Sequence, residues 1–212
     1  MSAIDDPRSP LDPDDLGRRL ADAGMDWPGP VVLTSTGSTN DDVESLAAGG
    51  APEGTCVVAE EQTHGRGRLD RTWVSPPGAG LWTSVLVRPK GQPVERLGLL
   101  SLVAGLAAVD ALGDACRVRA ELKWPNDIVV VSAGCGGAGG YRKIGGILSH
   151  AVSAETVVIG IGINVSMTSD ELPVALASSV LLEGGAPDRA ALLVALLQRL
   201  RTRLIQWRDD DP

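Results

Sequence analysis

Basic residues are in short supply. The 212-residue chain carries 19 Lys and Arg against 27 Asp and Glu, a net charge of −8, so it lacks the basic face that broad contact with nucleic acid or an anionic membrane requires. Cysteine is scarce too. Cys56, Cys116 and Cys135 are odd in number, widely separated and without metal-ligand spacing, a pattern that argues against a disulfide framework and for reduced thiols in a cytoplasmic protein. No basic stretch followed by an apolar segment opens the chain, and no run of ~18 apolar residues occurs, so nothing points to export or a membrane span. Two common nucleotide fingerprints are also missing. There is no G-x-x-x-x-G-K-[ST], Gly160-Ile161-Gly162 lacks the third glycine, and Gly65-Arg66-Gly67 has Asp70 where the last glycine would fall, which disfavours a P-loop or Rossmann enzyme.

What is present is enough for a sizeable core: 43% of residues are hydrophobic. The first ten residues are rich in Pro and Asp and are expected to be loose. Asp12 as N-cap, Pro13 at the first helical position and Leu16 and Leu20 facing inward predict a short helix stopped by Gly24. Residues 1–30 are thus read as a loose segment with one helix, ahead of a single domain over 31–212. Val31–Leu33 reads as a strand, and Gly37-Ser38-Thr39-Asn40 leads into a helix ending at Gly49-Gly50, where Ser38 or Thr39 could simply cap. Cys56–Ala59 is an apolar strand. Leu81–Val87 alternates like a strand with one face on a core, Leu97–Leu112 reads as a long helix with small residues for close approach, and Val118–Lys123 and Ile128–Val131 flank the turn Trp124-Pro125-Asn126-Asp127. Ser132–Gly140, with five glycines, reads as a flexible insertion. Two more strands, over Lys143–Leu148 and Thr156–Val165, precede an amphipathic helix over Asp188–Arg208. Strands in sequential runs predict an α+β domain with a mixed, largely antiparallel sheet flanked by helices.

One stretch stands out. From Glu60 to Ser75 a glycine-rich, arginine-bearing loop leaves the end of the Cys56–Ala59 strand; Gly65 and Gly67 allow the backbone close to a ligand, and Arg66, Arg68 and Arg71 suit carboxylate or phosphate. With three arginines and one large apolar residue, Trp73, the loop is expected to be unstructured until a ligand arrives.

Several pieces together resemble biotin protein ligases: Ser38-Thr39-Asn40; Gln62 with Gly65-Arg66-Gly67-Arg68 and Trp73; Lys123-Trp124-Pro125-Asn126-Asp127; Lys143-Ile144-Gly145-Gly146-Ile147-Leu148; and Gly160-Ile161-Gly162-Ile163-Asn164. They stand in the family's order across about residues 31–208. The resemblance implies a class II synthetase-like catalytic domain that uses ATP and magnesium to make biotinyl-AMP and passes biotin to a lysine of a biotin carboxyl carrier protein. It implies that Lys123 contacts the carboxylate and acyl phosphate with help from Arg66 and Arg68. Ser38, Thr39 and Gln62, with the backbone near Gly65 and Gly160 to Gly162, would hold the ureido ring, and Trp73 would cover the ligand or the adenine. Asn40, Gly67, Asn126, Lys143, Gly145 and Asn164 complete the implied ligand contacts; the magnesium ligands stay unassigned. No DNA-reading domain and no C-terminal β-barrel domain of the kind family members carry are expected in this chain, nor is contact with nucleic acid or membrane; a monomer or weak dimer is. The chain departs from the family at the Ser132–Gly140 insertion and at Leu69-Asp70, where basic residues or glycine are usual. A lipoate or octanoate ligase, or a non-catalytic biotin-binding module, are the alternatives.

Overall fold

In the computed structural model, which describes residues 6–73, 76–131 and 140–209, one seven-stranded sheet organises the chain. Its strands are β1 (Val31–Leu33), β2 (Cys56–Ala59), β3 (Gly80–Val87), β4 (Glu121–Lys123), β5 (Asp127–Val131), β6 (Tyr141–Ser153) and β7 (Thr156–Asn164), in the order β1-β2-β3-β7-β6-β5-β4. β1 and β2 pair in parallel and every other neighbouring pair is antiparallel. The helices are α1 (Pro13–Asp22), α2 (Thr39–Ala48), α3 (Leu100–Cys116) and α4 (Arg189–Asp209). The α+β class with a mixed, largely antiparallel sheet is the one the strand pattern implies.

Successive strand residues point to opposite faces, and here both faces are covered. Leu81, Val85, Ile159, Ile161 and Ile163 join the core with Ala104, Ala107 and Ala108 of α3 and Leu193, Leu196, Leu200 and Leu204 of α4. On the other face Val57, Leu86 and Val158 pack against Val43 of α2. β3 is therefore buried along its whole length, not on one side as its alternation suggested.

Two boundaries also move. α3 starts at Leu100, after a 3-10 turn over Val94–Leu99, and β4 covers only Glu121–Lys123. Taken together, Val94–Cys116 is long and apolar enough by length and composition to cross a membrane, which the search for an uninterrupted apolar run missed. Its small residues explain the apolarity: they admit a neighbour. A Cβ on Gly105 would come within 2.9 Å of both Leu122 δ carbons, so the sheet approaches α3 closely there. The glycine-rich insertion and Cys135 lie outside the described residues.

Residues 8–11 are tied to the body of the protein, while residues 1–5 of the segment expected to be loose lie outside the described residues. Asp12 caps α1 by accepting from the Asp14 and Asp15 amides at 2.8 and 3.3 Å. Arg8 donates to Ser166 Oγ at 3.2 Å and to the Glu171 carboxylate at 3.0 and 2.6 Å. The Arg8 guanidinium, helped by the Thr168 amide, holds the Glu171 carboxyl at about 2, against an ordinary 4.5. Because the folded value is the depressed one, the pair's stabilisation is complete above the unfolded value and is lost as pH falls towards 2. An NMR titration of Glu171 should have its midpoint near 2; a midpoint at the ordinary carboxylate value would mean that this anchor is not formed.

Candidate functional site

The site is a strip of the sheet from which side chains have been removed. Register places Trp82 of β3 opposite Gly162 of β7, Ser84 opposite Gly160, and Gly162 opposite Gly146 of β6. These residues share the face that α2 covers. A Cβ on Gly160 would fall 2.2 Å from Asn40 Oδ1, so this glycine admits the start of α2. A Cβ on Gly162 would make only ordinary contact with Trp82 and Trp73, at 3.4 and 3.5 Å, so the floor between the indoles is open. The two rings meet edge to face with centroids 5.9 Å apart, a favoured aromatic geometry. Both indole Nε1 atoms are buried without a hydrogen-bond partner, an arrangement that buried polar groups rarely keep unless something else satisfies them.

One wall is the N-terminus of α2. Thr39 donates through its amide and hydroxyl to Gln62 Oε1, at 2.9 and 3.1 Å, and its hydroxyl lies 2.7 Å from Ser84 Oγ. Ser84 in turn donates to Asn40 Oδ1 at 2.5 Å, and Asn40 Nδ2 donates to the Leu148 carbonyl at 3.2 Å. Ser38 occupies the N-cap position, yet its side chain makes no capping bond. Gln62 does that work from the loop by accepting from an amide that the helix cannot satisfy. Ser38 is buried with its hydroxyl uncommitted to the helix.

The second wall is the glycine-arginine loop, which forms a hairpin. The Trp73 amide donates to Gly65 O at 2.8 Å and the Gly67 amide to Arg71 O at 2.7 Å. Only glycine fits at 65, where a Cβ would lie 2.4 Å from Trp73 O. The loop's one large side chain, Trp73, packs on Trp82, and Arg66 is paired with Asp41 of α2; residues 74 and 75 lie outside the described residues. Arg68 and Arg71 are exposed. Leu69, in the place where the sequence departs from the family, takes φ 57°, a left-handed conformation that favours glycine.

At the far end of the strip two lysines share one carboxylate. Lys143 Nζ is 2.5 Å from Asp127 Oδ1 and 5.3 Å from the centre of the Trp73 ring. Lys123 Nζ is 3.9 Å from Asp127 Oδ2 and 4.7 Å from the centre of the Tyr141 ring. Of the two, Lys143 reaches over the glycine floor: a Cβ on Gly146 would be 3.4 Å from its Nζ.

Three of the expected contacts are spent elsewhere. Gly145 faces the core, against Ile128 and Ile163, so Gly146 is the glycine on the strip. Asn164 donates to the Ser178 carbonyl at 2.9 Å and Asn126 to the Ile147 carbonyl at 2.8 Å, which makes both structural clamps. Sequence reasoning in turn missed Trp82, Ser84, Asp41, Asp127 and Gly146 as members of the site. The alternation of β3 puts Trp82 and Ser84 on one face, but only the register reveals that glycines lie opposite. Burial pushes the Cys56 and Cys116 thiols up to about 12, which makes them poor nucleophiles. Among the described residues no group of three His, Cys, Asp or Glu could hold a metal ion. Two surface depressions of about 420 and 520 Å³ around Arg117–Arg119 share no residue with the strip and hold none of this chemistry.

Residues 32–164 match the Biotin/lipoate A/B protein ligase family. The chain belongs to that family. It is 39% identical along its whole length to a Biotin--[acetyl-CoA-carboxylase] ligase of Mycobacterium tuberculosis, 77% of which is matched. It is 40% identical over 67% of its length to the Bifunctional ligase/repressor BirA of Bacillus spizizenii, where the match spans 41% of that protein. Among solved structures, a biotin protein ligase from Aquifex aeolicus in complex with biotin and ATP superposes with a TM-score of 0.72 at 31% identity, covering 87% of this chain and 74% of that one. A Leishmania major biotin protein ligase in complex with biotinyl-5-AMP superposes with a TM-score of 0.70 at 26% identity, covering 86% and 77%. The class II synthetase-like fold expected from the sequence is the fold of these ligases.

The glycine strip makes a steric prediction. Gly160→Ala should push α2 off the sheet and cost about 1–3 kcal/mol, the usual range for overpacking, read by urea unfolding. A variant as stable as the parent would contradict the close approach of Asn40.

Proposed function

We propose that this chain is a biotin protein ligase: it joins biotin to the α-phosphate of ATP, releasing pyrophosphate, and then transfers biotin from biotinyl-5'-AMP to a lysine of a biotin carboxyl carrier protein. The observation that carries this reading is the open glycine strip under Trp73 and Trp82, closed at one end by Lys143 and Lys123. It suits a compact bicyclic ring with an anionic tail. The ring would lie on Gly162 near the uncommitted Ser38 hydroxyl and the Gln62 amide, and the tail would run towards the lysines.

The chemistry follows from charge. The biotin carboxylate and the ATP α-phosphate are both anions, and attack of one on the other concentrates negative charge at a pentacovalent phosphorus. Lys143 and Lys123, now sharing Asp127, would turn to that charge, with Arg68 added from the loop and Arg66 by giving up Asp41. The attacking carboxylate is already ionised, so this step needs no base. With Trp73 over the trough, the mixed anhydride would be shielded from water until the carrier lysine displaces AMP. Magnesium would arrive on the ATP phosphates, since the described side chains do not fit a resident ion. We place the enzyme in the cytoplasm, as a monomer or weak dimer without a nucleic-acid partner, on the strength of its acidity and its two buried free thiols.

ATP–pyrophosphate exchange tests the reading. Exchange should require biotin and should not be supported by lipoate or octanoate; exchange with lipoate in place of biotin would make it the other branch of the family. Lys143→Ala and Lys123→Ala should each slow adenylation by ~2–4 kcal/mol in barrier, the cost of losing a charge-stabilising donor, with the larger loss at 143. Stopped-flow rates at saturating biotin measure this, and an unchanged rate in both variants would remove the lysines from the mechanism.

A further inference from the structure

The biotin ligase loop is anchored at its base by a segment far away in sequence. Glu60, the first residue of the loop, is paired at 2.5 Å with Arg189 at the start of α4; their side chains are 12% and 2% exposed. Both reach the N-terminal segment. Glu60 Oε1 accepts from the Leu11 amide at 2.7 Å, and Arg189 Nη2 donates to the Ser9 carbonyl at 2.6 Å. Three stretches of chain thus meet on one buried ion pair. A pair so deep is costly to desolvate and adds little net stability.

The same segment also covers the loop's exit. Gly78 takes φ +68°, and a Cβ there would be 3.0 Å from the Arg8 carbonyl, so the backbone at 78 runs directly beneath Arg8. Gly78 N donates back to Glu60 O at 3.0 Å, joining exit to entry. Arg8 is held by Glu171 and by the Ser166 carbonyl at 3.0 Å, while the Val165 and Ser166 amides donate to Ala79 O at 3.0 and 2.8 Å. Residues 8–11 therefore form a strap across both ends of the loop that carries Arg66, Arg68 and Trp73.

We propose that this strap is a positioning element for the ligase reaction: by fixing the spacing of Glu60 and Gly78 it keeps Trp73 over Gly162 and so retains biotinyl-AMP. The inference rests on the biotin ligase reading. Its residues touch no substrate and act through the loop, so the effect falls on retention more than on the chemical step.

Arg8→Ala in the full chain tests it, with Arg8→Lys and Gly78→Ala beside it. Arg8→Ala should release biotinyl-AMP about tenfold faster, in line with the loss of a few charge-assisted hydrogen bonds, and raise KM for biotin, while the adenylation rate at saturating biotin stays within about twofold of the parent. Arg8→Lys, which keeps the charge near Glu171, should fall between. Gly78→Ala, which disturbs the same crossing from the other side, should reproduce the faster release if Arg8→Ala does not fold. Unchanged release overturns the proposal, and so does an equal fall in adenylation rate and retention together with a lower Tm, the mark of a merely structural role. If the parent itself makes no adenylate, the function reading fails instead. The strap is then judged by hydrogen exchange at residues 62–73 without ligand, which should be slower in the parent than in Arg8→Ala and which overturns the strap if equal.

Discussion

The hydrogen bond between Thr39 and Ser84, 2.7 Å long and buried between α2 and the sheet, is the contact on which the rest of the site depends. A helix resting on the face of a sheet would ordinarily be separated from it by side chains, and the space would close with apolar packing. Here Gly160 gives up its side chain and Ser84 offers a hydroxyl, so the polar first turn of α2 comes down onto the strands and Asn40 reaches the Leu148 carbonyl. Gln62 then completes the helix terminus from the loop. Loop, helix and sheet are joined by one short chain of polar groups, each satisfied by the next, and such networks fix relative position more sharply than apolar contact does.

Charge in the site is arranged in reserve. The protein is acidic as a whole, yet Lys143, Lys123 and Arg66 are gathered around the trough, and each has a carboxylate partner: Asp127 for the two lysines, Asp41 for the arginine. Such partners spare the cations from sitting uncompensated beside apolar indoles. They can also be exchanged for the phosphate and carboxylate oxygens of an arriving ligand at little net cost, since the pairs are partly exposed and individually weak. Arg68 and Arg71 have no such partner among the described residues, and Arg68 sits on a turn where Leu69 holds a conformation made for glycine.

Local signals carried well. Asp12 and Pro13 mark the start of α1, the leucines of α4 fall inward as spaced, and the motif residues Thr39, Gln62, Trp73, Lys143 and Gly162 lie along one strip of the sheet, with Lys123 beyond Lys143 on Asp127. What could not be read are matters of phase and of long range. In Gly145-Gly146 nothing local says which glycine faces the core, and the register with Ile163 and Gly162 decides it. In β3 the alternation hides that both faces are covered, because α2 is polar where it meets Ser84 and apolar where Val43 meets Leu86. Asn126 and Asn164 look like ligand groups in a motif, but the carbonyl of Ile147 in β6 and that of Ser178 beyond β7 accept from them. Arg8, in a stretch whose composition suggests disorder, is anchored 158 residues away at Ser166, and no local pattern can announce such a partner.

Ligand is expected along the glycine strip with its anionic end at the paired lysines. A crystal structure of the protein with biotin and ATP tests this most directly. The bicyclic ring should lie on Gly162 against Trp73 and Trp82, and the acyl phosphate within hydrogen-bond distance of Lys143 with Asp127 displaced from it. Ligand density anywhere else, such as the depressions around Arg117, with the strip empty, would contradict it.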